Sequence, residues 1–513
     1  MYINDALFSF KHLFSLIYGI LVLLGSNINI LSENRFQKTS IFSNKSSNFN
    51  TNKFFNLGLD SWITSILIII ISFSINNATH YANSLINDLL FDNKFSIWIL
   101  YILYINIIIY LLISYKKIKI YKTLTEEHFF FMLTAFLGSM IITSGNNIIL
   151  LIIGIEIQNF SNYGIALTLK KHIKTSSSII KFFFVNGYSM LFLIMSVSYF
   201  LILFGENANL RLINIFIIYL EDSDLSSIGF ILLFSIIGFY IKLYIAPLGK
   251  WLPDLYNAIP VSILILFVIQ PSLSIYVIIN KFSNYAILYF EEIRILSTLL
   301  ILYAFFYGFW QALKETNIIR LFSFSTVIYN AFNLLIFFFY LKAYFYPIYY
   351  VTISLIFYGF SSLGLFITLN IIQNKDGIVI KEIHHLKGLY RTNKAISFFL
   401  SLYIFSIAGT PPLAGFLSKT FIFSANTINE KEWFFFILLI IFSSLNFYYY
   451  LKIIKTFYFH NLNNNNNKII PFYIFSSNLI FHLSLIILFV FFLFLFIIYP
   501  EIVSGLLEQI FLF

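Results

Sequence analysis

Residues 395–423 read AISFFLSLYIFSIAGTPPLAGFLSKTFIF. The stretch is apolar at both ends, is interrupted by Gly409-Thr410-Pro411-Pro412, and holds a single charge, Lys419. About 20 apolar residues suffice to cross a bilayer. Proline removes an amide donor and breaks a helix. Broken backbone at membrane depth is tolerated only where it lines a cavity or is buried in protein. Lys419 stands between the uncharged stretches 395–418 and 420–429, too deep to reach the interface. The stretch therefore predicts a membrane helix broken at Pro411 and Pro412, with an ammonium group held beside the break.

The rest of the chain repeats that pattern. Of 513 residues, 59% are hydrophobic and 11% charged, against about 25% charged in soluble domains. This excludes an ordinary soluble enzyme, and also a disordered chain, which would be charge-rich and apolar-poor. A membrane barrel would need roughly 10-residue alternating segments, and none is seen. The fold class is an all-α polytopic membrane protein. With no cysteine, disulfides, iron–sulfur ligation and thiol catalysis are excluded. No glycine-rich phosphate loop is present. The pair His384-His385 lies among Lys381, Glu382 and Lys387 and reads as a solvated loop rather than a metal site. The net charge of +10 is not gathered into one patch, so nucleic acid is not an expected partner. Residues 1–11 lack the character of a transit peptide, and 12–30 are followed by no small-residue cleavage site. Abundant Phe, Tyr, Ile, Asn and Lys are the residues of A/T-rich codons. They suggest an organellar genome, with an A/T-rich bacterium as the alternative.

Uncharged apolar stretches give fourteen spans: 12–29, 57–76, 95–114, 128–143, 146–168, 178–204, 226–247, 258–280, 295–312, 321–340, 344–371, 395–423, 433–451 and 471–499. The division between the fourth and fifth rests on the turn Ser144-Gly145-Asn146-Asn147. On this count, odd-numbered loops hold 22 Lys and Arg, even-numbered loops and termini hold 7, and Lys181, Lys242 and Lys419 lie within spans. Positive loops face the cytoplasm or matrix, so both termini are expected on the opposite, intermembrane-space side. Residues 30–56, 372–394 and 452–470 are expected on the matrix side. The Asn-rich segment 461–467 is low complexity and is assigned no function.

A second break is expected where the seventh span runs into Ala246-Pro247-Leu248-Gly249 and Pro253. Paired breaks in two halves point to an inverted-repeat transporter. Domain limits follow: 1–125 with helices 1–3, 126–280 and 281–456 as two antiporter-like halves, and 457–513 with the Asn-rich loop and last helix. Ionisable residues inside spans mark function by default. Glu156 is the sharpest: Lys170, its nearest charged neighbour towards the C-terminus, is 14 residues on, roughly 21 Å of helix. Lys242 precedes the expected break, and Lys181 is seven residues from Lys174. Burial disfavours the charged form of a lysine and a nearby carboxylate restores it. A chain of such groups is the hardware of a proton or cation pump.

These residues sit in recognisable phrases. Ala408 to Lys419 resembles the twelfth-helix signature of chain 2 of NADH–ubiquinone oxidoreductase, an antiporter-like subunit of respiratory complex I. Lys242 with Pro247, Trp251, Pro253-Asp254, Tyr256 and Pro260 is similar to that family's seventh-helix lysine phrase. Glu156 with Ser161 and Tyr163 resembles its fifth-helix glutamate phrase, and Lys181-Phe182-Phe183 its lysine before an aromatic pair. Arg320-Leu321 through Ser325-Thr326 and Lys387-Gly388-Leu389 also match in order. The resemblance covers roughly residues 120–455. A sister chain 4 would carry glutamate at Lys419, and a chain 5 would be longer. Three positions depart: Gly249 and Tyr329 stand where the family has histidine, and Ser272 where it often has lysine after Pro271.

The resemblance implies a proton-translocating subunit of NADH:ubiquinone reductase in the mitochondrial inner membrane, with a bacterial plasma membrane as the alternative. Glu156, Lys181, Lys242 and Lys419 would carry protons, with Pro247, Ser272, Tyr329, Pro411 and Pro412 in support. Glu156 and Lys242 would pair, the three lysines would share one depth, and Ser272 would face the same hydrated axis. This chain would bind no cofactor or metal; FMN, iron–sulfur clusters and ubiquinone would sit elsewhere in the complex. Partners would be the sister antiporter-like chains and lipids such as cardiolipin. The competing readings are a stand-alone cation/proton antiporter of the same fold and a purely structural membrane subunit.

Overall fold

Apolar runs without charges become long helices, because only a helix satisfies its backbone within one segment in lipid. The computed structural model describes residues 63, 65, 66, 68, 69, 94–121, 126–168, 173–204, 222–245, 247, 249–286, 291–339, 346–373, 381–411, 413–425, 433–459 and 473–474. The expectations for 1–62, for Pro412, for 461–467, for both termini and for almost all of 471–499 lie outside these residues.

The helices are α1 Lys94–Tyr121, α2 Glu126–Ser144, α3 Ile148–Leu167, α4 Ile173–Phe204, α5 Asp222–Lys242, α6 Leu252–Ala258, α7 Val261–Ala286, α8 Glu291–Lys314, α9 Ile318–Phe339, α10 Tyr346–Ile371, α11 Leu389–Thr392, α12 Lys394–Ala408, α13 Ala414–Ala425 and α14 Trp433–Tyr458. Two short strands, β1 Ile372–Gln373 and β2 Tyr473–Ile474, pair antiparallel. Among the described residues, seven helices are long and apolar enough to cross a membrane, and three shorter apolar ones join them. The chain is a multi-pass helical membrane protein.

Asparagine starts three of these helices in the same way. Asn147, Asn317 and Asn393 accept the amides of Ile149, Ile319 and Ile396 at 2.8, 2.9 and 3.0 Å. Each side chain thus satisfies an amide that has no partner within its helix. The turn between α2 and α3 falls at Gly145–Asn147, where the sequence placed it.

The chain divides into two units, and the boundary passes through α4 and α7. The first contains α1, α2, α3, most of α4 and residues 273–278 of α7. Within it, Ser274 Oγ donates to Gln158 Oε1 on α3 at 3.0 Å. The second contains 187–196 of α4, the rest of α7, α5, α6 and everything from α8 onward. There α8 packs on α9, and Phe305 stacks on Phe442 of α14 at 4.2 Å. Its connecting segments meet in one polar cluster. Arg320 Nη2 lies 3.1 Å from Asp254 Oδ1, and Asn317 Nδ2 donates to Asn257 Oδ1 at 3.0 Å. The Ile318 amide donates to Lys381 O at 2.8 Å, and the Lys381 ammonium donates to Asn257 O. Lys381 and Glu315 lie outside the apolar helices. Burial holds the Lys381 ammonium below its ordinary value and pushes the Glu315 carboxyl up, against the nearby Arg320 charge.

Candidate functional site

The second unit contains two places where an apolar helix stops in mid-course, and a lysine stands at each. In the first, α5 ends on Lys242, which is 4% exposed. The next turn is reversed by Tyr244, whose φ of 66° is left-handed. The sequence placed this break at Pro247. The helix in fact ends five residues earlier, and Pro247 is exposed in the turn that follows. The physical cause is Tyr244: a side chain with a Cβ enters the left-handed region only when its surroundings hold it there. Three contacts supply that hold. The Ile245 amide donates to Tyr240 O at 2.9 Å, the Tyr244 ring packs edge-on to Trp251 at 5.3 Å, and Asn330 Nδ2 of α9 donates to Leu243 O at 3.1 Å. Gly249 lies across the turn, where an added Cβ would stand 1.8 Å from Tyr244 O. This position admits neither histidine nor any other side chain with the present backbone, which accounts for the first departure from the family phrase.

The second break separates α12 from α13. Gly409 closes α12 at φ 77° and ψ 49°, and its amide reaches Phe405 O and Ser406 O, each at 3.0 Å. The Thr410 amide adds a bond to Phe405 O at 3.1 Å. A glycine at this place caps the orphan carbonyls of the helix end. Pro411 is exposed in the turn. After the turn α13 passes so close to the end of α12 that a Cβ at Gly415 would lie 1.8 Å from Ser406 O. That close approach lets Lys419, half-buried on α13, donate to Ala408 O at the end of α12. A cation is favoured there by the free carbonyls and the negative end of the helix dipole.

Lys419 opens on a cavity of about 40 Å³ lined by Ser325, Tyr329, Ser354, Tyr358, Ser406, Ser418, Asn446 and Tyr450 among others. One water needs about 10–15 Å³ by this measure, so the cavity has room for about three. Its largely apolar wall carries polar groups: Ser354 Oγ donates to Asn333 Oδ1 at 2.6 Å, and Ser406 Oγ is buried without a protein hydrogen-bond partner. Tyr329 stacks on Tyr358 at 3.9 Å. Tyr329 and Lys419 thus share one wettable space. Ser272 does not line it. Its hydroxyl donates within α7, to Val268 O at 2.9 Å and Ile269 O at 3.0 Å, next to Pro271.

In the first unit Glu156 lies half-buried on α3, and it acts electrostatically on Tyr163, one of the residues of its phrase. The neighbouring buried face carries Gln158, Asn159, Asn162 and Tyr163. Tyr163 packs against Phe182 at 4.8 Å and Phe183 at 5.2 Å. Lys181, the preceding residue of α4, is exposed, with Ile180, Phe183 and Phe184 exposed beside it. His385 and Glu382 form a loop contact at 3.6 Å, and among the described residues no three His, Asp or Glu converge as metal ligands.

Sequence reading singled out the charges and missed the neutral groups around them. Asn330 beside the first break, Ser354, Tyr358 and Asn446 in the cavity, and Gln158 with Ser274 near Glu156 were all passed over. Their signal was available as uncharged polar residues recurring inside otherwise apolar spans.

A family model described as NADH:quinone oxidoreductase/Mrp antiporter, transmembrane, matches residues 145–447, more than half of the chain and inclusive of all four ionisable candidates. NADH-quinone oxidoreductase subunit N of Rickettsia prowazekii is 27% identical over 332 residues, covering 63% of this chain and 69% of that protein. The subunit N of Pelagibacter ubique is 26% identical over 373 residues, with 71% and 74% covered. These relatives accord with the resemblance to chain 2 read from the phrases above. A chain of respiratory complex I from Thermus thermophilus superposes with a TM-score of 0.67 at 15% identity, covering 88% of this chain and 96% of that one. A chain of an archaeal membrane-bound sulfane sulfur reductase gives a TM-score of 0.70 at 16% identity, with 99% and 96% covered. At such identities the two structures speak to fold alone. A buried or half-buried lysine at each of two helix breaks, on a helical membrane fold whose central stretch matches the family model, places this chain in the NADH:quinone oxidoreductase/Mrp antiporter membrane family.

Proposed function

We propose that the chain is a proton-translocating membrane subunit of an NADH:quinone oxidoreductase, driven by electron transfer in other subunits. The observation that carries this reading is Lys419, held against the end carbonyl of α12 and open to a cavity shared with Tyr329 and several serine hydroxyls. An ammonium at a helix C-terminus can give up its proton to cavity water and regain it while the dipole stays in place. Lys242 and Glu156 complete the set of proton carriers. Lys181, exposed in the isolated chain, serves at a surface covered in the assembly. Fourteen spans in an inverted repeat, with halves at 126–280 and 281–456, accommodate this path. The meeting of four odd-numbered loops in the second unit supports that count: residues 254–257, 315–320 and 381–382 bond to one another, and Lys452 Nζ donates to Leu313 O at 3.4 Å.

Partners are the other membrane subunits, including sister antiporter-like chains, with anionic lipids such as cardiolipin at the rim. FMN, iron–sulfur clusters and the quinone belong to other subunits. The named relatives are bacterial; the energised membrane is a bacterial plasma membrane or its mitochondrial counterpart, and the termini face the side opposite the lysine-rich loops. The family description also spans antiporters, which keeps a stand-alone cation/proton antiporter as the second reading. Native purification decides between them. Recovery within a large NADH-oxidising assembly whose proton pumping fails in Lys419→Ala supports the first. Sodium-dependent proton exchange by the isolated chain supports the second and overturns the first.

A further inference from the structure

One buried ionisable group plays no part in the path above. His128, the third residue of α2, is 0% exposed and lies in the first unit between α1 and the end of α3. Its Nε2 is hydrogen-bonded to the hydroxyl of Tyr110, which is 1% exposed. Its Nδ1 lies 3.1 Å from Thr168 Oγ1. The hydrogen of Thr168 is committed, because Oγ1 donates to Ile165 O at 2.8 Å. Thr168 Oγ1 therefore accepts from Nδ1–H. With the proton on Nδ1, a neutral ring leaves Nε2 to accept from the Tyr110 hydroxyl.

The placement is as informative as the bonding. α2 opens with Glu126 and the exposed Glu127, and the lysine-bearing segments 116–122 and 170–174 flank the site in sequence. His128 thus stands at the lysine-rich end of the first unit. Thr168 and Glu156 belong to one helical stretch, 12 residues apart, roughly 18 Å along the axis. Between them the buried face of α3 carries Asn162, Tyr163 and Asn159, with Gln158 alongside. Gln158 Nε2 is buried without a protein hydrogen-bond partner, the usual mark of a water site. An apolar core helix needs none of these amides. An ionisable residue inside a membrane segment is costly to keep and marks a proton relay more often than a tether.

We propose that His128 is the entry group of a proton-uptake path that runs from the lysine-rich side along the polar face of α3 to Glu156. A proton arriving from the aqueous side is taken up at Nε2 as the Tyr110 hydroxyl passes its own proton on and regains another, and imidazolium forms. The Nδ1 proton then leaves past Thr168 to a water on the α3 face, and the remaining proton passes from Nε2 to Nδ1 by exchange through water, which restores the resting tautomer. Only N–H and O–H bonds are made and broken, and one proton passes per cycle. Histidine suits the task because its ordinary proton affinity lies near neutral pH. The inference rests on the proposed proton-translocating role and adds to it the uptake route.

The test uses the intact complex in inverted membrane vesicles, with NADH-driven proton uptake and NADH oxidation followed together. His128→Gln keeps an amide able to bond Tyr110 and Thr168 but cannot carry a proton. Proton uptake is expected to fall by about fivefold or more in the assembled variant, since a positioned acid–base group supplies on the order of a hundredfold or more. Tyr110→Phe is expected to give a smaller loss, about twofold to threefold. In His128→Ala, added imidazole should restore uptake by filling the vacated site, a response that a tether would not show. Normal uptake in His128→Gln, or in His128→Ala without imidazole, would overturn the proposal. If the histidine variants do not assemble, unchanged uptake in Tyr110→Phe overturns it instead. Glu156→Gln and Lys419→Ala are run beside them. Unchanged uptake in both means that the chain carries no protons, whereas loss in both with normal His128→Gln refutes the entry path alone.

Discussion

The two helix breaks of the second unit place a lysine at a stalled helix by opposite means. At the first, Lys242 is the last residue of α5 and precedes a left-handed tyrosine. At the second, Lys419 belongs to the helix after the break and reaches back to Ala408 O. The first ammonium is carried by the stub it terminates; the second is a visitor to another stub's carbonyl end. Proline sits in both turns but causes neither lysine's position. At the second break Gly415 does, by letting α13 approach Ser406 O, while at the first Gly249 lets the turn close on Tyr244 O. A break of this kind is defined by the close approach it permits.

The largest effect should come from closing that approach. Gly415→Ala puts a methyl group 1.8 Å from a backbone oxygen, and α13 must move away. Overpacking of this kind costs about 3 kcal/mol or more. The variant should fail to assemble or lose Lys419 function altogether, as read by native gel and proton uptake. A fully active Gly415→Ala complex would mean that the breaks are looser than described.

Next come the lysines themselves. Lys419→Ala should lower proton uptake by at least about tenfold while leaving the fold intact, because a half-buried charge is removed rather than stranded. Lys242→Ala should be as severe if the two breaks act in series. A mild Lys242→Ala beside a severe Lys419→Ala would make the first break structural and sharpen the difference between them. A smaller change is expected at the cavity wall, where Tyr329→Phe removes one hydroxyl and should reduce uptake about twofold to threefold. Loss as complete as in Lys419→Ala would make Tyr329 an obligatory carrier.

The legible part of this molecule was its charge. Lys419, Glu156 and Lys242 stood out because a lone ionisable residue in an apolar run has few innocent explanations. The break after Ala408 was legible because Gly409, Pro411 and Pro412 are local signals. The end of α5 was not, because Tyr244 is forced into its conformation by Trp251 and Asn330, residues distant in sequence or across a turn. Gly249 looked like a lost histidine, yet the turn geometry leaves room for nothing larger. Ser272 looked like a weakened lysine site, whereas its hydroxyl is spent inside α7. Both are decided by contacts within five residues, set by backbone geometry that the residue types alone do not display.

The smallest effect concerns the polar cluster beside the breaks. Burial lowers the proton affinity of Lys381 from its ordinary 10.5. Below the lowered folded value both states are protonated, and the cost of the buried charge is felt in full. Between that value and 10.5 the unfolded chain binds more protons, so stability rises with pH. Thermal unfolding in detergent should therefore shift upward over this window, and Lys381→Met should flatten the slope. A downward shift that Lys381→Met removes would reverse the assignment. Arg320→Gln should cost only about 0.2–1 kcal/mol, since the ion pair with Asp254 is about one-third exposed on both sides.

Asn330 holds the carbonyl just past Lys242, and Tyr329 lines the space at Lys419. They are consecutive residues of α9, set ~100° apart around one axis. One helix thus touches both breaks, and any displacement of α9 large enough to release Leu243 O would also move the Tyr329 side chain beside Lys419.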